Sequence, residues 1–183
     1  MTWNIDHLRK AWNLATRYHD GQKYGGHEEG MKVEYLNHIG GVTFEILNSL
    51  QYEEGVNADL ALACAVLHDT LEDTALDKEK IRELFGEEIL AGVQALTKNK
   101  RLPSKAEQMQ DSLNRILQQP REVAMVKLAD RINNLNEPPF YWDEGKKRAY
   151  REEGQMIYEQ LKGASVYLGE RLKMKIDQYE AYF

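Results

Sequence analysis

The sequence has only one cysteine, few prolines and no long apolar run. Cys64 has no partner for an internal disulfide, and a structural zinc site would need several thiolates. Its apolar surroundings favour a small core residue over a nucleophile. No apolar stretch approaches the ~20 residues that a transmembrane helix needs, and the opening MTWNIDHLRK lacks the apolar block of a signal peptide. We therefore expect a cytoplasmic protein that does not interact with a membrane.

Basic residues are also in deficit. The chain has 24 Lys and Arg against 30 Asp and Glu, and its formal net charge of -6 does not favour a nucleic-acid partner. Hydrophobic residues make up 42% and charged residues 30%, as in a folded globular chain. A length of 183 residues suits one domain with a real core, so we predict a single domain over residues 1–183. A homo-oligomer remains open.

Strand signals are missing as well. No stretch alternates apolar and polar residues with β-branched enrichment, whereas helical spacing recurs along most of the chain. Glycines and charges mark residues 19–33 as a loop. Asp77 and the pair Ser104–Glu107 have the sequence signature of helix starts, and Pro138–Pro139 stops the helix that follows Pro120. We predict an all-α fold, a single helical bundle of about eight helices.

The stretch Leu60–Thr74, LALACAVLHDTLEDT, is the most informative part of the chain. Its Leu- and Ala-rich run contains no helix breaker, so it predicts one continuous helix. On that helix His68 shares a face with Glu72, and Asp69 shares a face with Asp73. Buried charges need partners, and a divalent cation suits imidazole nitrogen and carboxylate oxygen. The alternative is a helix that leaves the core here and exposes its acids to solvent.

Two other segments carry candidate ligands. His38 lies near the start of a predicted helix, and Asp130 lies inside another, VKLADRINNL, among apolar residues. Asp130 must therefore face solvent, a cation, or an ion-pair partner such as Lys127 or Arg131. Two imidazoles and two carboxylates suit Mn²⁺, Fe²⁺, Zn²⁺ or Mg²⁺. The candidate metal ligands are His38, His68, Asp69 and Asp130.

Three motifs, LNHIGGV, HDTLEDT and VKLADRINNL, occur in an order and at a spacing that resemble the HD-domain phosphohydrolases. They are most similar to the hydrolase half of the RelA/SpoT alarmone proteins and to the stand-alone small alarmone hydrolases of the metazoan SpoT homologue type. The segments ATRYHDGQ, QALTKNKRL and PPFYWDEGKKRAYREEGQMI extend this resemblance over nearly the whole chain.

The resemblance implies a fold, a site and a reaction. The four candidate ligands match those that hold a divalent metal in the family, usually Mn²⁺. Glu72 and Asp73 match the acidic pair that positions or activates the attacking water, and Asn134 matches a nucleotide contact. The family removes pyrophosphate from the 3′ position of guanosine tetra- or pentaphosphate. Some members prefer adenosine alarmones, and some accept NADPH as a 2′-phosphate donor.

The residues themselves fit these roles. Asn134 lies one helical turn beyond Asp130 on the same face, where its amide can contact a sugar or a base. Lys127 is close enough to Asp130 either to pair with it or to face a phosphate. Carboxylates next to a cation can accept a proton from water, which is the role expected for Glu72 and Asp73.

The chain departs from the family pattern after Gln22. The family's basic cluster is reduced to Lys23, which can contact phosphate but stacks on a base less well than arginine. This leaves the preference for guanine open. Tyr24 either stacks on a base or packs on the surface. The basic run Lys98, Lys100, Arg101 and Lys105 is either a solvated loop or a rim that attracts polyphosphate, and Trp142 and Tyr150 are expected in the core.

We therefore predict a metal-dependent enzyme that removes the 3′-pyrophosphate from a guanosine or adenosine alarmone, a small-molecule substrate. Two alternatives remain. One is a general HD nucleotide phosphohydrolase, acting as a nucleotidase or as an NADPH 2′-phosphatase. The other is a nucleotide-binding sensor without turnover. The base, the cellular metal and the oligomeric state are not predicted.

Overall fold

Helices form nearly all the regular structure of residues 2–183, which the computed structural model of this chain describes. Nine helices in this part of the chain have eight residues or more, and a tenth is a four-residue turn. The helices are α1 (Ile5–Tyr18), α2 (Tyr35–Ser49), α3 (Ala58–Leu67), α4 (Thr70–Asp73), α5 (Lys78–Phe85), α6 (Glu87–Leu96), α7 (Lys105–Ile116), α8 (Arg121–Asn134), α9 (Glu144–Leu161) and α10 (Val166–Gln178). Short 3-10 turns cover Lys162–Ala164 and Tyr179–Tyr182. The predicted all-α helical bundle is confirmed.

Local signals fix several helix boundaries. The Asp77 carboxylate accepts a hydrogen bond from the Glu79 amide at 2.9 Å, at the start of α5. Before α7, the Ser104 hydroxyl accepts from the Glu107 amide at 3.2 Å, and the Glu107 carboxylate accepts from the Ser104 amide at 3.0 Å. These bonds satisfy amides that have no partner inside the helix, so the predicted starts are confirmed.

Helix α3 is the centre of the bundle. Every one of its residues except Asp59 is buried, and it packs against α1, α2, α6 and α8. A helix that is apolar on all sides must be surrounded, which these four neighbours achieve. Close approach of α6 depends on Gly92, because a Cβ there would lie 2.7 Å from Cys64 Sγ. Cys64 is fully buried, as expected of a core residue.

None of the helices within residues 2–183 is both long enough and apolar enough to cross a bilayer.

The helix predicted over Leu60–Thr74 is in fact two segments. Helix α3 ends at Leu67, and α4 begins at Thr70, with His68 and Asp69 at the break. The last carbonyls of a helix lack intrahelical partners, and here side chains supply them. His68 Nδ1 lies 2.8 Å from the Ala65 carbonyl oxygen, and the Thr70 hydroxyl donates to the Leu67 carbonyl at 2.7 Å. The prediction of one continuous helix was therefore wrong.

The glycine-rich segment predicted as a loop contains a small antiparallel ribbon. Strand β1 (Lys23–Gly25) pairs with strand β2 (Lys32–Glu34), and β2 runs directly into α2. Tyr24 lies opposite Val33 in this ribbon. Each strand has only three residues, which is too short to show an alternating pattern in the sequence.

Candidate active site

Three parts of the fold bring the four candidate metal ligands together. His38 comes from the first turns of α2, His68 and Asp69 from the break between α3 and α4, and Asp130 from α8. One ligand atom each from His38, His68 and Asp130 lie within 4.8 Å of one another. Asp69 Oδ2 adjoins them, 3.0 Å from His68 Nε2 and 3.5 Å from His38 Nε2.

The tautomers of the two histidines leave both Nε2 atoms as acceptors. His38 Nδ1 lies 2.9 Å from Asn133 Oδ1, and His68 Nδ1 lies 2.8 Å from the Ala65 carbonyl oxygen. Both partners are acceptors, so each Nδ1 carries a proton, and the neutral form of each imidazole then presents a bare Nε2 to a metal. The two Nε2 atoms then face each other at 3.2 Å next to a carboxylate oxygen. Facing acceptors repel unless a cation lies between them, so the donor set fits a bound metal.

The spacing of these atoms also fits. Ligands that lie about 2.1 Å from one ion are separated from one another by about 3.0–3.4 Å in tetrahedral or octahedral geometry. The Nε2–Nε2 distance is 3.2 Å, and the distance from His38 Nε2 to Asp130 Oδ1 is 3.5 Å. A small divalent ion therefore matches the gap without large movement of the side chains.

The carboxylates of the site favour a bound cation, which can be a proton or a metal ion. Burial by itself lowers the pKa of His68, but the carboxylates of Asp69 and Asp130 outweigh burial and raise it to about 9 in the polypeptide alone. Burial also opposes ionisation of Asp69, yet the facing histidines hold the pKa of that carboxyl well below its usual value. A proton and a metal ion therefore compete for the same imidazole nitrogen.

Asp130 is held by two neighbours on its own helix. Lys127 Nζ lies 2.8 Å from Asp130 Oδ2, and the Asn134 amide donates to Asp130 Oδ1 at 2.5 Å. Asp130 and Lys127 are only 6% and 5% exposed, so their charges depend on each other. Burial opposes the charge of Asp130, but Lys127 and the histidines keep the pKa of the carboxyl below its usual value. Of the two positions open to Lys127, the structure shows the ion pair.

Asn133 is a residue of the site whose role was missed in the sequence. Its side-chain oxygen accepts the Nδ1 proton of His38, 95 residues away along the chain. Room for this amide comes from Gly41, because a Cβ at Gly41 would lie 2.0 Å from Asn133 Nδ2. The paired glycines of LNHIGGV were the available signal, since a glycine inside a helix often permits close packing.

Glu72 and Asp73 lie on the same cavity as the ligands. The Lys98 amide donates to the Glu72 carboxylate at 2.9 Å, and the Lys100 ammonium donates to the Glu72 backbone carbonyl at 2.9 Å. Lys100 Nζ is also 3.4 Å from Asp73 Oδ1. The loop after α6 therefore holds the acidic pair at the end of α4.

Tyr35 is the second residue whose role the sequence did not indicate. Its hydroxyl donates to Asp69 Oδ2 at 2.6 Å and lies 3.4 Å from Asp73 Oδ2. One hydroxyl therefore contacts a candidate ligand and a candidate catalytic carboxylate. Burial, followed by the charge of Asp69, raises the pKa of Tyr35 far above its usual value, so the phenol keeps its proton and remains a donor.

The ligands open onto a cavity of about 870 Å³, within the size range of small-molecule sites. Five lysines reach its wall: Lys98, Lys100, Lys105, Lys127 and Lys146. Aromatic side chains on the wall include Tyr24, Tyr35, Tyr141, Trp142 and Tyr150. Cations and aromatic rings that line the same cavity as the candidate metal ligands suit a ligand with phosphates and a planar base.

The predicted substrate residues lie in different environments. Asn134 and Lys127 line the cavity, as does Tyr24, whose hydroxyl accepts from the Asn37 amide at 3.0 Å. Lys23 is not among the residues of the cavity wall, and its ammonium pairs with Glu34 across the ribbon at 2.6 Å. A contact from Lys23 to substrate stays a prediction.

Trp142 and Tyr150 correct an expectation. Both were expected in the core, and Tyr150 does pack against it, but both side chains are only partly buried and line the cavity. Their rings form an edge-to-face pair at 4.8 Å, and the Arg131 guanidinium lies 4.4 Å from the Tyr150 ring centroid. Their spacing looked like a helical core stripe, but Trp142 lies before α9 begins at Glu144, and only Tyr150 is on that helix.

A family model described as HD domain matches residues 11–165. This chain belongs to the HD domain family. Membership implies dependence on a divalent metal, and the cluster of His38, His68 and Asp130 supplies donors for one.

Individual proteins are similar in sequence to this chain over most of its length. The HD domain described here is 30% identical over 176 residues to guanosine-3′,5′-bis(diphosphate) 3′-pyrophosphohydrolase MESH1 of Xenopus tropicalis, across 93% of this chain and 94% of that protein. It is 35% identical over 161 residues to GTP pyrophosphokinase rsh of Brucella ovis, across 85% of this chain but only 20% of that protein.

A solved structure, described as a metazoan ortholog of SpoT that hydrolyses ppGpp, matches with a TM-score of 0.80 over 100% of both chains. The sequence identity is 22%, so this likeness concerns the fold.

Proposed function

We propose that this HD domain is a metal-dependent hydrolase that removes the 3′-pyrophosphate from a nucleotide alarmone, either (p)ppGpp or the adenosine equivalent. The observation that carries the proposal is the meeting of four metal-ligand side chains with the Glu72–Asp73 pair on one cavity. The relatives described as 3′-pyrophosphohydrolases match the chain over nearly its full length, which supports this substrate class.

We propose Mn²⁺ as the metal, held by His38, His68, Asp69 and Asp130. Two imidazole nitrogens and two carboxylate oxygens suit it, and the one cysteine of the sequence cannot supply the several thiolates of a structural zinc site. When bound, such an ion lowers the pKa of water and neutralises phosphate charge. The protein keeps both Nε2 atoms free for it through the Nδ1 bonds to Asn133 and Ala65.

Glu72 and Asp73 are the proposed proton acceptors. Water attacks the phosphorus next to the 3′ oxygen, one of its protons passes to this carboxylate pair, and the phosphorus–oxygen bond to the ribose breaks. The carboxylate pair returns this proton to the 3′ oxygen, which remains on the ribose as a hydroxyl, and inorganic pyrophosphate is the other product. The bonds from Lys98 and Lys100 to the pair hold it in place for this transfer.

Lysines and amides of the cavity bind the rest of the substrate. Lys98, Lys100 and Lys105 lie on the wall, where their charges offset those of the phosphates. Lys127 is engaged by Asp130, so its proposed part is to hold that ligand and to add positive charge near the phosphates. Asn134 keeps one amide proton and its carbonyl oxygen for the ribose or base.

The proposal is tested by incubating the purified protein with Mn²⁺ and ppGpp, pppGpp, pppApp or NADPH, followed by chromatography of the products. We expect release of pyrophosphate from the 3′ position, and loss of activity when a chelator is added. Substitution of an exposed histidine, His27→Ala, is the matched control for His38→Ala and should leave activity unchanged. No turnover of any substrate would contradict the proposal.

The same panel separates the alternatives. A general nucleotidase is favoured if Glu72→Ala keeps full activity, because chemistry that does not use the acidic pair would be unaffected. A sensor is favoured if the wild type binds nucleotide without turnover and Asp130→Ala still binds it. Release of phosphate from NADPH alone would indicate a 2′-phosphatase.

A further inference from the structure

Tyr35 contacts the two halves of the site at once. Its hydroxyl reaches Asp69 Oδ2 at 2.6 Å and Asp73 Oδ2 at 3.4 Å. Asp69 Oδ2 is also the oxygen that faces the Nε2 atoms of both histidines. The position of Asp73 relative to the metal ligands is therefore linked to one phenol oxygen.

A closed loop of contacts between side chains and backbone holds the Tyr35 phenol. The Tyr35 ring stacks on the His19 ring, with centroids 4.9 Å apart and planes inclined by 18°. His19 Nδ1 lies 2.7 Å from Gln22 Oε1, and Gln22 Nε2 donates to the Asp73 backbone carbonyl at 2.8 Å. These contacts form a closed loop that starts and ends at Asp73. They connect the end of α1, the start of α2 and the end of α4.

Two backbone hydrogen bonds support the same loop of contacts. The Gln22 amide donates to the His19 carbonyl at 3.0 Å, and the Tyr35 amide donates to the Gln22 carbonyl at 2.9 Å. The ribbon between Gln22 and Tyr35 therefore begins and ends at this point. Movement of Asp73 away from the ligands would break the hydrogen bond from Gln22 Nε2 to the Asp73 carbonyl. The backbone hydrogen bonds of Gln22 fix the position of that donor.

His19 is a poor choice for packing alone. It is 2% exposed, and its Nε2 has no hydrogen-bond partner among residues 2–183. A buried unpartnered nitrogen is unfavourable, and phenylalanine would stack on Tyr35 without that cost. The feature that only histidine offers at this position is the Nδ1 bond to Gln22.

We propose that Tyr35 is a positioning residue that sets Asp73 against the ligand Asp69, and that His19 and Gln22 hold Tyr35 and Asp73 in this arrangement. The part that concerns turnover rests on the proposed function, whereas the part that concerns Asp69 can be measured with the metal alone. Tyr35 itself takes no proton and touches no reacting atom in this account.

The test uses Tyr35→Phe and His19→Phe. We expect Tyr35→Phe to weaken Mn²⁺ binding in calorimetry by about tenfold and to lower kcat by about 10–100-fold, the usual cost of losing a bond that orients a metal ligand. The KM should change little. Tyr167→Phe, which also loses one hydrogen-bonded hydroxyl but lies away from the cavity, is the matched control and should match the wild type.

His19→Phe separates positioning from packing. It keeps the stack on Tyr35 and removes the unpartnered nitrogen, so urea unfolding should show equal or greater stability and Mn²⁺ binding should be unchanged. The kcat should nevertheless fall, because Gln22 is no longer oriented toward Asp73. Unchanged kcat in His19→Phe, when the wild type is active, would overturn the role of His19 and Gln22.

The inference and the proposed function fail in different ways. If the wild type hydrolyses no nucleotide, the proposed function fails, and the Mn²⁺ titration still tests Tyr35. Equal Mn²⁺ affinity in Tyr35→Phe and in the wild type would overturn the inference, whereas about tenfold weaker binding would support it.

Discussion

The cavity has two walls that differ in how deeply their side chains are buried. The inner wall, formed by His38, His68, Asp69, Lys127 and Asp130, comes from α2, the α3–α4 break and α8, which pack around the core. The outer wall, formed by Tyr24, Gly25, Gly26 and Tyr141, comes from the small ribbon and the segment after Pro139. Tyr141 is 58% exposed, whereas the histidines of the inner wall are 8% and 3% exposed.

The two parts of the outer wall meet at Gly25 and Gly26. The Phe140 amide donates to the Gly26 carbonyl at 3.4 Å, and Tyr141 lies against Gly25, where a Cβ would be 2.7 Å from its ring. The inner wall has buried ion pairs and oriented imidazoles instead. We propose from this difference that the core fixes the chemistry and that the exposed wall sets the choice of base.

The largest effect is expected from Asp130→Ala on the inner wall. It removes a ligand and leaves the Lys127 ammonium buried without its partner, so we expect no measurable turnover, no Mn²⁺ binding and a loss of about 3–5 kcal/mol of stability without metal. Calorimetry and urea unfolding measure these effects. Asp177→Ala, at an exposed position of α10, is the control. Undiminished Mn²⁺ affinity in Asp130→Ala would show that Asp130 is not a metal ligand.

The next effect concerns the acidic pair. Glu72→Gln and Asp73→Asn remove a proton acceptor but no ligand, so kcat should fall by about 10²–10⁴-fold while Mn²⁺ binding persists. Initial rates and a metal titration on the same preparations measure both quantities. Glu152→Gln, an exposed change in α9, should have no effect. If both variants kept the wild-type kcat, the pair would have no part in proton transfer.

The lysines of the rim should affect binding and not chemistry. Lys98→Ala or Lys105→Ala should raise KM about threefold to fivefold at low salt, because a partly exposed ion pair contributes at most ~1 kcal/mol. The effect should shrink as salt is added. Lys173→Ala, exposed on α10, controls for net charge. A fall in kcat with constant KM would show that these lysines act on the reaction itself.

The smallest effect should come from the outer wall. Tyr141→Ala should change the ratio of kcat/KM for guanosine and adenosine substrates by about fivefold, near the low end of what base stacking contributes. The same protein should keep the Mn²⁺ affinity of the wild type. Phe44→Ala, another exposed aromatic residue, should leave the ratio unchanged. A loss of Mn²⁺ binding in Tyr141→Ala would break the division between the two walls.

Local and short-range features could be predicted from the sequence. The capping bonds of Asp77 and Ser104 join residues two or three apart, so the local sequence alone indicates them. The apolar run before His68 indicates a buried helix for the same reason. The candidate ligands were found because His68 and Asp69 are adjacent and because recognisable motifs surround His38 and Asp130.

Individual hydrogen bonds between distant residues could not be predicted. Tyr35 and Asp69 are 34 positions apart, and His38 and Asn133 are 95 apart, so no periodicity links them. The break at His68 depends on side-chain bonds to the last carbonyls of α3, which a run of good helix formers hides. The first two contacts are tertiary, whereas the bonds at the break join residues three apart, and helix propensity indicates neither kind.

The central claim is that one divalent ion binds between α2, the α3–α4 break and α8. A crystal structure of the wild type grown with Mn²⁺, with anomalous differences recorded at the manganese edge, measures it most directly. We expect a single strong peak about 2.0–2.3 Å from His38 Nε2, His68 Nε2 and oxygens of Asp69 and Asp130. A peak elsewhere in the molecule, or none at saturating Mn²⁺, would contradict the account.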